Sequence, residues 1–333
     1  MDDQGGTHGP GAAVPARGAR ARDPAGADDA VARIAHQYYV LGLTQGEIAR
    51  RMGITRFKAH RMLARAREAG VVRIEIDVSS GRRLALEDAL TARFGLRSAF
   101  VCPSDATEEL PIAGVIGHYA AGVVAPMIAD GMTIAVSWGR TLRALAESIE
   151  PASGRGLSVV PLLGSLSRRS TIDRYEASSA LAWRLGAECY YLPGPIICDD
   201  LETKTAIDAQ TTLRQTLDRA RAADLALLSI GGREFSSLVA AGCITEAERD
   251  DVAASGAVGN LLGRFVGADG RPVDHPLNAR AIGLPPAEIG GIPDRVLCAG
   301  GPRKSDAIAA ALVSGAATAL VTDEATAEAV LAT

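Results

Sequence analysis

The sequence predicts a two-part protein. An N-terminal all-α unit carries a helix-turn-helix pattern, and a larger Rossmann-like α/β domain follows it. Three observations lead there. Residues 43–63 hold two capped helical segments joined at a glycine. From about residue 97, short apolar runs alternate with helical stretches, the pattern of a parallel sheet covered on both faces. Charge divides the same way: residues 1–73 carry a net +5, while the whole chain carries −4.

The first 27 of the 333 residues are mainly Gly, Ala, Pro, Asp and Arg. They cannot bury enough apolar surface to offset ordering, so they read as a disordered tail. They hold no apolar stretch of signal-peptide type. No apolar run of membrane-spanning length occurs further on. These readings place the chain in the cytoplasm, away from the membrane.

Residues 28–76 read as the helical unit. Val31, Ile34, Ala35 and Tyr38 recur at helical spacing and mark a first helix. Thr44 caps the next, with Glu47 three residues on to complete a capping box. Leu43 and Ile48 stand at the positions of a hydrophobic staple, and Gly53 can take the left-handed turn that ends the helix. Thr55 caps the third helix, whose apolar face is Ala59, Met62, Leu63 and Ala66. Its other face carries Arg56, Phe57, Lys58, His60 and Arg61. Residues 50–73 hold eight basic groups against the single acid Glu68. A basic head on an acidic body is the electrostatic footprint of a DNA-binding module. The expected DNA-contacting set is Thr44, Gln45, Thr55, Arg56, Phe57, Lys58, His60 and Arg61.

Val71–Ile76 alternates as a short strand would. Residues 77–96 read as a linker helix, with Leu86, Leu90 and Phe94 on one face. The α/β domain then fills 97–333. Its expected strands are Ala99–Cys102, Thr133–Ser137, Ser158–Leu162, Cys189–Leu192, Leu225–Ile230, Arg295–Ala299 and Thr318–Thr322. Helices are expected at Ile112–Ala129, Ala177–Leu185 and Ser305–Ser314.

In such sheets ligands bind beyond the carboxyl ends of the strands. Small residues collect in those loops. Ser137-Trp138-Gly139-Arg140-Thr141 combines a glycine, a cation and a hydroxyl at a helix start, which suits an anion. Gly164-Ser165 and Gly231-Gly232 follow two further strands, and Ala299-Gly300-Gly301 leads to Lys304. Together they predict one pocket for an anionic small ligand, lined by Ser137, Gly139, Arg140, Thr141, Gly164, Gly231 and Lys304.

Five scattered cysteines, none at CxxC spacing, argue against a zinc site and against a disulfide framework. No motif calls for a metal, a cofactor or a catalytic residue. The nearest acid–histidine candidates are Asp269 and His275, in a segment that also reads as a turn.

The chain resembles the SorC family of sugar-responsive bacterial transcription regulators, from about residue 30 to the end. The resemblance rests on Glu47-Ile48-Ala49, Gly53 and Arg61-Met62-Leu63 in the head. In the body it rests on Val136–Leu142, Leu192–Pro195, Gly256–Asn260, Gly263–Phe265, Asp269–Val273, Asn278–Gly283, and Ala299–Gly301 with Lys304. It implies an effector domain similar to sugar-phosphate isomerases and CoA transferases, used for sensing rather than catalysis. It implies a phosphorylated sugar or polyol as effector, operator DNA as partner, and self-association as a dimer or tetramer. The family's phosphate-gripping loop falls on Gly139, Arg140 and Thr141, its basic anchor on Lys304, and Asn260 joins the effector set. Asn260 stands where the family usually has Asp. The loop at 138–140 is Trp-Gly-Arg, which leaves a neutral polyol open. The alternative function is a sugar-phosphate isomerase-like enzyme with a DNA-binding head.

Overall fold

A computed structural model describes residues 24–72, 78–103, 111–150, 154–165 and 176–333. The chain divides into two compact units, Met1–Ile76 and Asp77–Thr333.

The described part of the first unit contains three helices: α1 Pro24–Ala35, α2 Gln45–Met52 and α3 Arg56–Glu68. The first begins at Pro24, inside the segment read as a disordered tail; residues 1–23 of that segment lie outside the described residues. Both parts of the Thr44–Glu47 capping box are present, and Gly53 ends α2 in the left-handed region at φ 63°. Thr55 caps α3 by accepting the Lys58 N–H at 3.1 Å. Ile34, Ile48, Ala49, Ala59 and Leu63 form the core of the three helices, with Leu43 packed beside them as the staple requires. Tyr38 departs from the expected apolar stripe. A π-turn over His36–Val40 breaks the helical phase there, and Tyr38 is exposed. Most of the expected strand at 71–76 lies outside the described residues.

The second unit opens with α4, Val78–Phe94. The helix read as a linker packs into this unit: Leu90 is buried in its core, and Arg83 pairs with Glu324 at 3.4 Å. Ten strands follow among the described residues: β1 Ser98–Cys102, β2 Thr133–Val136, β3 Ser158–Pro161, β4 Glu188–Cys189, β5 Leu225–Leu228, β6 Ile230–Gly232, β7 Gly259–Leu261, β8 Arg264–Val266, β9 Asp294–Cys298 and β10 Ala319–Asp323. Seven form one sheet in the order β1-β10-β9-β5-β2-β3-β4, parallel throughout.

Alternation of side chains splits the apolar interior into two cores, one on each face. On β5, Leu225 and Leu227 join one core while Ala226 and Leu228 join the other. On β9, Val296 and Cys298 part from Leu297 in the same way. Helices Ile112–Val124, Arg140–Ser148 and Ser178–Leu185 cover the first face. Residues of α4, Thr211–Arg221, Ser305–Val313 and Glu324–Ala332 contribute to the other core. None of the described helices is long and apolar enough to cross a membrane.

The remaining strands were not expected. β6, β7 and β8 form a separate antiparallel sheet, with Gly231 opposite Asn260. The run read as one strand, Leu225–Ile230, is broken at Ser229. β5 stays in the parallel sheet and β6 leaves it.

Candidate functional site

The main cavity lies where the strand order reverses. From β2 the chain proceeds outward through β3 and β4; β5, beside β2, leads the other way through β9 and β10. Loops leaving two neighbouring strands in opposite directions open a crevice between them, which is the usual ligand position in parallel sheets. The cavity is about 320 Å³ and is lined by Arg140, Thr141, Ser229, Gly231, Asn260 and Lys304, among others.

The β2 loop forms one wall. Gly139 has φ 142°, and a Cβ there would lie 2.9 Å from the Ser229 hydroxyl, so this approach excludes a side chain. Arg140 begins helix Arg140–Ser148, and Thr141 is buried in its first turn. Ser137 turns away. Its hydroxyl accepts the Ser229 N–H at 3.0 Å, tying the β2 and β5 loops together. The opposite wall is the loop after β9. The Gly301 N–H donates to the Thr326 hydroxyl at 2.7 Å and to Asp323 Oδ2 at 3.3 Å. Asp323 is itself 1% exposed, so this loop is anchored from inside the fold. Lys304 crosses Gly232, where a Cβ would come within 3.1 Å of the lysine stem. Its ammonium donates to the Ile230 carbonyl at 3.4 Å.

The cavity is rich in cations. Burial holds the Lys304 ammonium below its ordinary lysine value, and the nearby Arg140 charge lowers it further. Among the described residues, neither Lys304 nor Arg140 has a carboxylate partner. At the mouth, Arg303 pairs with Glu234 at 3.3 Å. Asn260 is 4% exposed, and neither its Oδ1 nor its Nδ2 has a hydrogen-bond partner. Beside it, Phe235 takes a left-handed backbone at φ 47° and packs edge-on against Phe265 at 5.0 Å. Two cations without acids and an unmet buried amide together suit a ligand with an anionic end and a hydroxyl-bearing end.

Gly139, Arg140, Thr141, Gly231, Asn260 and Lys304 thus meet at one cavity. Ser137 and Gly164 do not. They line a second recess of about 210 Å³, beside Trp138, Tyr190 and Tyr191. Gly164 is required there by packing, since a Cβ would fall 2.3 Å from the Pro195 carbonyl oxygen. Sequence reasoning missed Ser229, Glu234, Phe235 and Arg303. Only Ser229, a polar residue inside an apolar run, gave a usable signal. The suggested acid–histidine pair is not formed. His275 Nε2 lies 3.0 Å from Asp251, and its Nδ1 accepts the Leu277 N–H. Asp269 instead accepts the Arg271 N–H within its own turn.

In the first unit, Arg56, Phe57, Lys58, His60 and Arg61 are all exposed. Phe57 is 70% exposed, which removes it from the core. Thr44, Gln45 and Arg56 border a shallow hollow at the start of α2 and α3. Hydrogen bonds from Thr44 hold the Glu47 carboxyl below the usual glutamate value, so it stays ionised at the helix N-terminus.

Residues 80–332 match the model of the Sugar-bind family, described as "Putative sugar-binding domain". The chain is 33% identical over 311 residues to the transcriptional regulator LsrR of Klebsiella pneumoniae, covering 92% of this chain and 93% of that one. It is 33% identical over 311 residues to the erythritol catabolism regulatory protein EryD of Brucella abortus, covering 92% and 98%. The crystal structure of the full-length sorbitol operon regulator SorC from Klebsiella pneumoniae superposes with a TM-score of 0.70 at 29% identity. It covers 91% of this chain and 98% of that one.

Proposed function

The chain belongs to the SorC family of sugar-binding transcriptional regulators, and from that premise we propose that α2 and α3 bind operator DNA under control of a phosphorylated sugar or polyol held in the main cavity. The observation that carries this reading is the meeting of Arg140 and Lys304, from loops more than 160 residues apart, at one cavity without a carboxylate partner among the described residues. The phosphate fits between these two side chains. The N-terminus of helix Arg140–Ser148 and the Thr141 hydroxyl add hydrogen-bond donors.

In this reading α3 lies in the major groove, with Arg56, Phe57, His60 and Arg61 toward base edges. Thr44, Gln45, Thr55 and Lys58 meet the backbone phosphates. One such helix makes few base contacts, so half-sites are paired by a dimer or tetramer. The effector acts by binding one arrangement of the assembly better than the other. It shifts DNA affinity only by that difference. We take the regulated genes to be those of carbohydrate catabolism: EryD is named an erythritol catabolism regulatory protein and SorC a sorbitol operon regulator. We assign the cavity to sensing in the cytoplasm, with no catalytic step.

The test is a gel-shift titration of the full chain on DNA upstream of its own operon, with and without sugar phosphates, alongside light scattering. Salt-dependent binding by a dimer or tetramer, altered by one sugar phosphate, supports the reading. Turnover of a sugar phosphate, with DNA binding that no sugar phosphate alters, replaces it with the isomerase-like enzyme carrying a DNA-binding head.

A further inference from the structure

Trp183 is 80% exposed on helix Ser178–Leu185. That helix buries Ser178, Leu181, Ala182 and Leu185, so the indole stands on the opposite side and adds nothing to the core. A single exposed apolar side chain is ordinary. This one borders a surface hollow of about 360 Å³. Helix Arg140–Ser148 lines the hollow with Arg143, Ala146 and Glu147, and helix Ser178–Leu185 lines it with Ser179, Ala180 and Arg184. Ala146, Ser179 and Ala180 are small, which leaves space that an indole can enter. A protruding ring and a recess side by side on one face are what a two-fold contact needs, because each copy then presents both.

Charge supplies the second half of the argument. Arg143 pairs with Glu147 at 2.7 Å, and the Glu147 side chain is still 58% exposed. Arg184 donates from Nε to the Ile149 carbonyl at 3.1 Å and has no carboxylate partner among the described residues. A carboxylate with capacity to spare and an uncompensated guanidinium therefore flank the hollow from different helices. A two-fold axis at the hollow brings each to its complement on a second copy, twice over. Residues 74–333 carry a net −9, so two such bodies repel at a distance. The charged side chains lining the hollow are two arginines and one glutamate, which makes it a place where two acidic bodies can approach.

We infer that this face is an isologous contact with a second copy of the chain: Trp183 of each copy enters the hollow of the other, and Arg184 of each meets Glu147 of the other. This rests on the self-association in the proposed reading and gives it a surface. A tryptophan buries roughly 150–250 Å² of the roughly 800 Å² that a specific interface takes from each partner. The ring is the anchor at the centre, and the charged helix sides form the rim.

The test is analytical ultracentrifugation of the full chain over a dilution series, without DNA or effector. The variants are Trp183→Ala, Arg184→Glu, and Arg184→Glu combined with Glu147→Arg. The wild type assembles, and Trp183→Ala raises the dissociation constant of one assembly step by about thirtyfold or more, the loss of an aromatic anchor. Its far-UV circular dichroism stays that of the wild type, because the exposed indole has no part in the core. Arg184→Glu sets carboxylates against one another and weakens the same step. Adding Glu147→Arg restores it toward wild type, which damage to the fold cannot do. A Trp183→Ala variant that assembles like the wild type overturns this inference and leaves the self-association reading standing. An Arg184→Glu variant that assembles normally, or a double reversal that restores nothing, does the same. Where a charge variant does not fold, Trp183→Ala alone decides. A wild type that stays monomeric overturns both.

Discussion

The Lys304 ammonium reaches the Ile230 carbonyl at 3.4 Å, across a β6 strand whose next two residues are glycines. Gly232 leaves room for the lysine stem, since a Cβ there would lie 3.1 Å from the Lys304 Cγ. A carbonyl satisfies part of an ammonium and supplies no countercharge. The arrangement fixes the position of the ammonium without neutralising it.

Lys304→Ala is expected to weaken a phosphorylated effector roughly 10- to 150-fold, the loss of one charge-assisted hydrogen bond worth about 1.5–3 kcal/mol. DNA affinity without effector stays unchanged. Effector-dependent release from operator DNA, followed by fluorescence anisotropy, measures both. An unchanged dose–response removes Lys304 from the site.

The lowered Lys304 pKa gives a pH dependence with a definite sign. Its charged form is disfavoured in the empty folded protein, so the charge costs stability below the folded pKa. That cost fades as pH rises toward the unfolded value of 10.5. Lys304→Met is therefore more stable than wild type near neutrality, and the two thermal midpoints converge as pH rises toward 10.5. Phosphate binding needs the ammonium, so effector affinity falls as pH rises through the empty-state pKa. Calorimetric scans at a series of pH values check the first trend, and a gap that widens with pH contradicts it.

On α3, substitutions at Phe57 and Arg61 test folding and the proposed recognition separately. Phe57 is 70% exposed, so Phe57→Ala shifts unfolding free energy by no more than about 0.5 kcal/mol. Arg61→Ala costs specific DNA binding about 1–3 kcal/mol. Denaturant melts and gel-shift titrations on the same preparations compare the two. Destabilisation by Phe57→Ala would return that ring to a packing role.

Asp323 supports the cavity from behind. It caps helix Glu324–Ala332 by accepting the Thr326 N–H at 3.0 Å, accepts the Thr326 hydroxyl, and takes the Gly301 N–H at 3.3 Å. Asp323→Ala removes a helix cap and leaves buried donors less well met, a loss of about 1–3 kcal/mol. Chemical unfolding measures it. The loop holding Lys304 also loosens, so effector affinity falls in the same variant. An unchanged melt would show that Thr326 alone anchors Gly301.

The sequence by itself determined what depends on neighbours along the chain. Thr44 with Glu47, Gly53 and Thr55 specify α2 and α3 because caps and left-handed glycines act within one helical turn. The apolar runs at Thr133, Ser158, Leu225, Arg295 and Thr318 specify parallel strands through composition and spacing alone. They also place Gly139, Gly231 and Lys304 at one sheet edge. Tertiary structure decided which loop residues meet. Ser137 bonds to Ser229, 92 positions away, and so leaves the main cavity. Gly164 is fixed by the Pro195 carbonyl, and His275 by Asp251 rather than Asp269. The break at Ser229 turns β6 out of the sheet and brings Gly231 opposite Asn260. Each of these contacts joins residues distant in the chain or depends on such a contact. Strand order and crossing loops set them, and neither carries a local signature in the side chains.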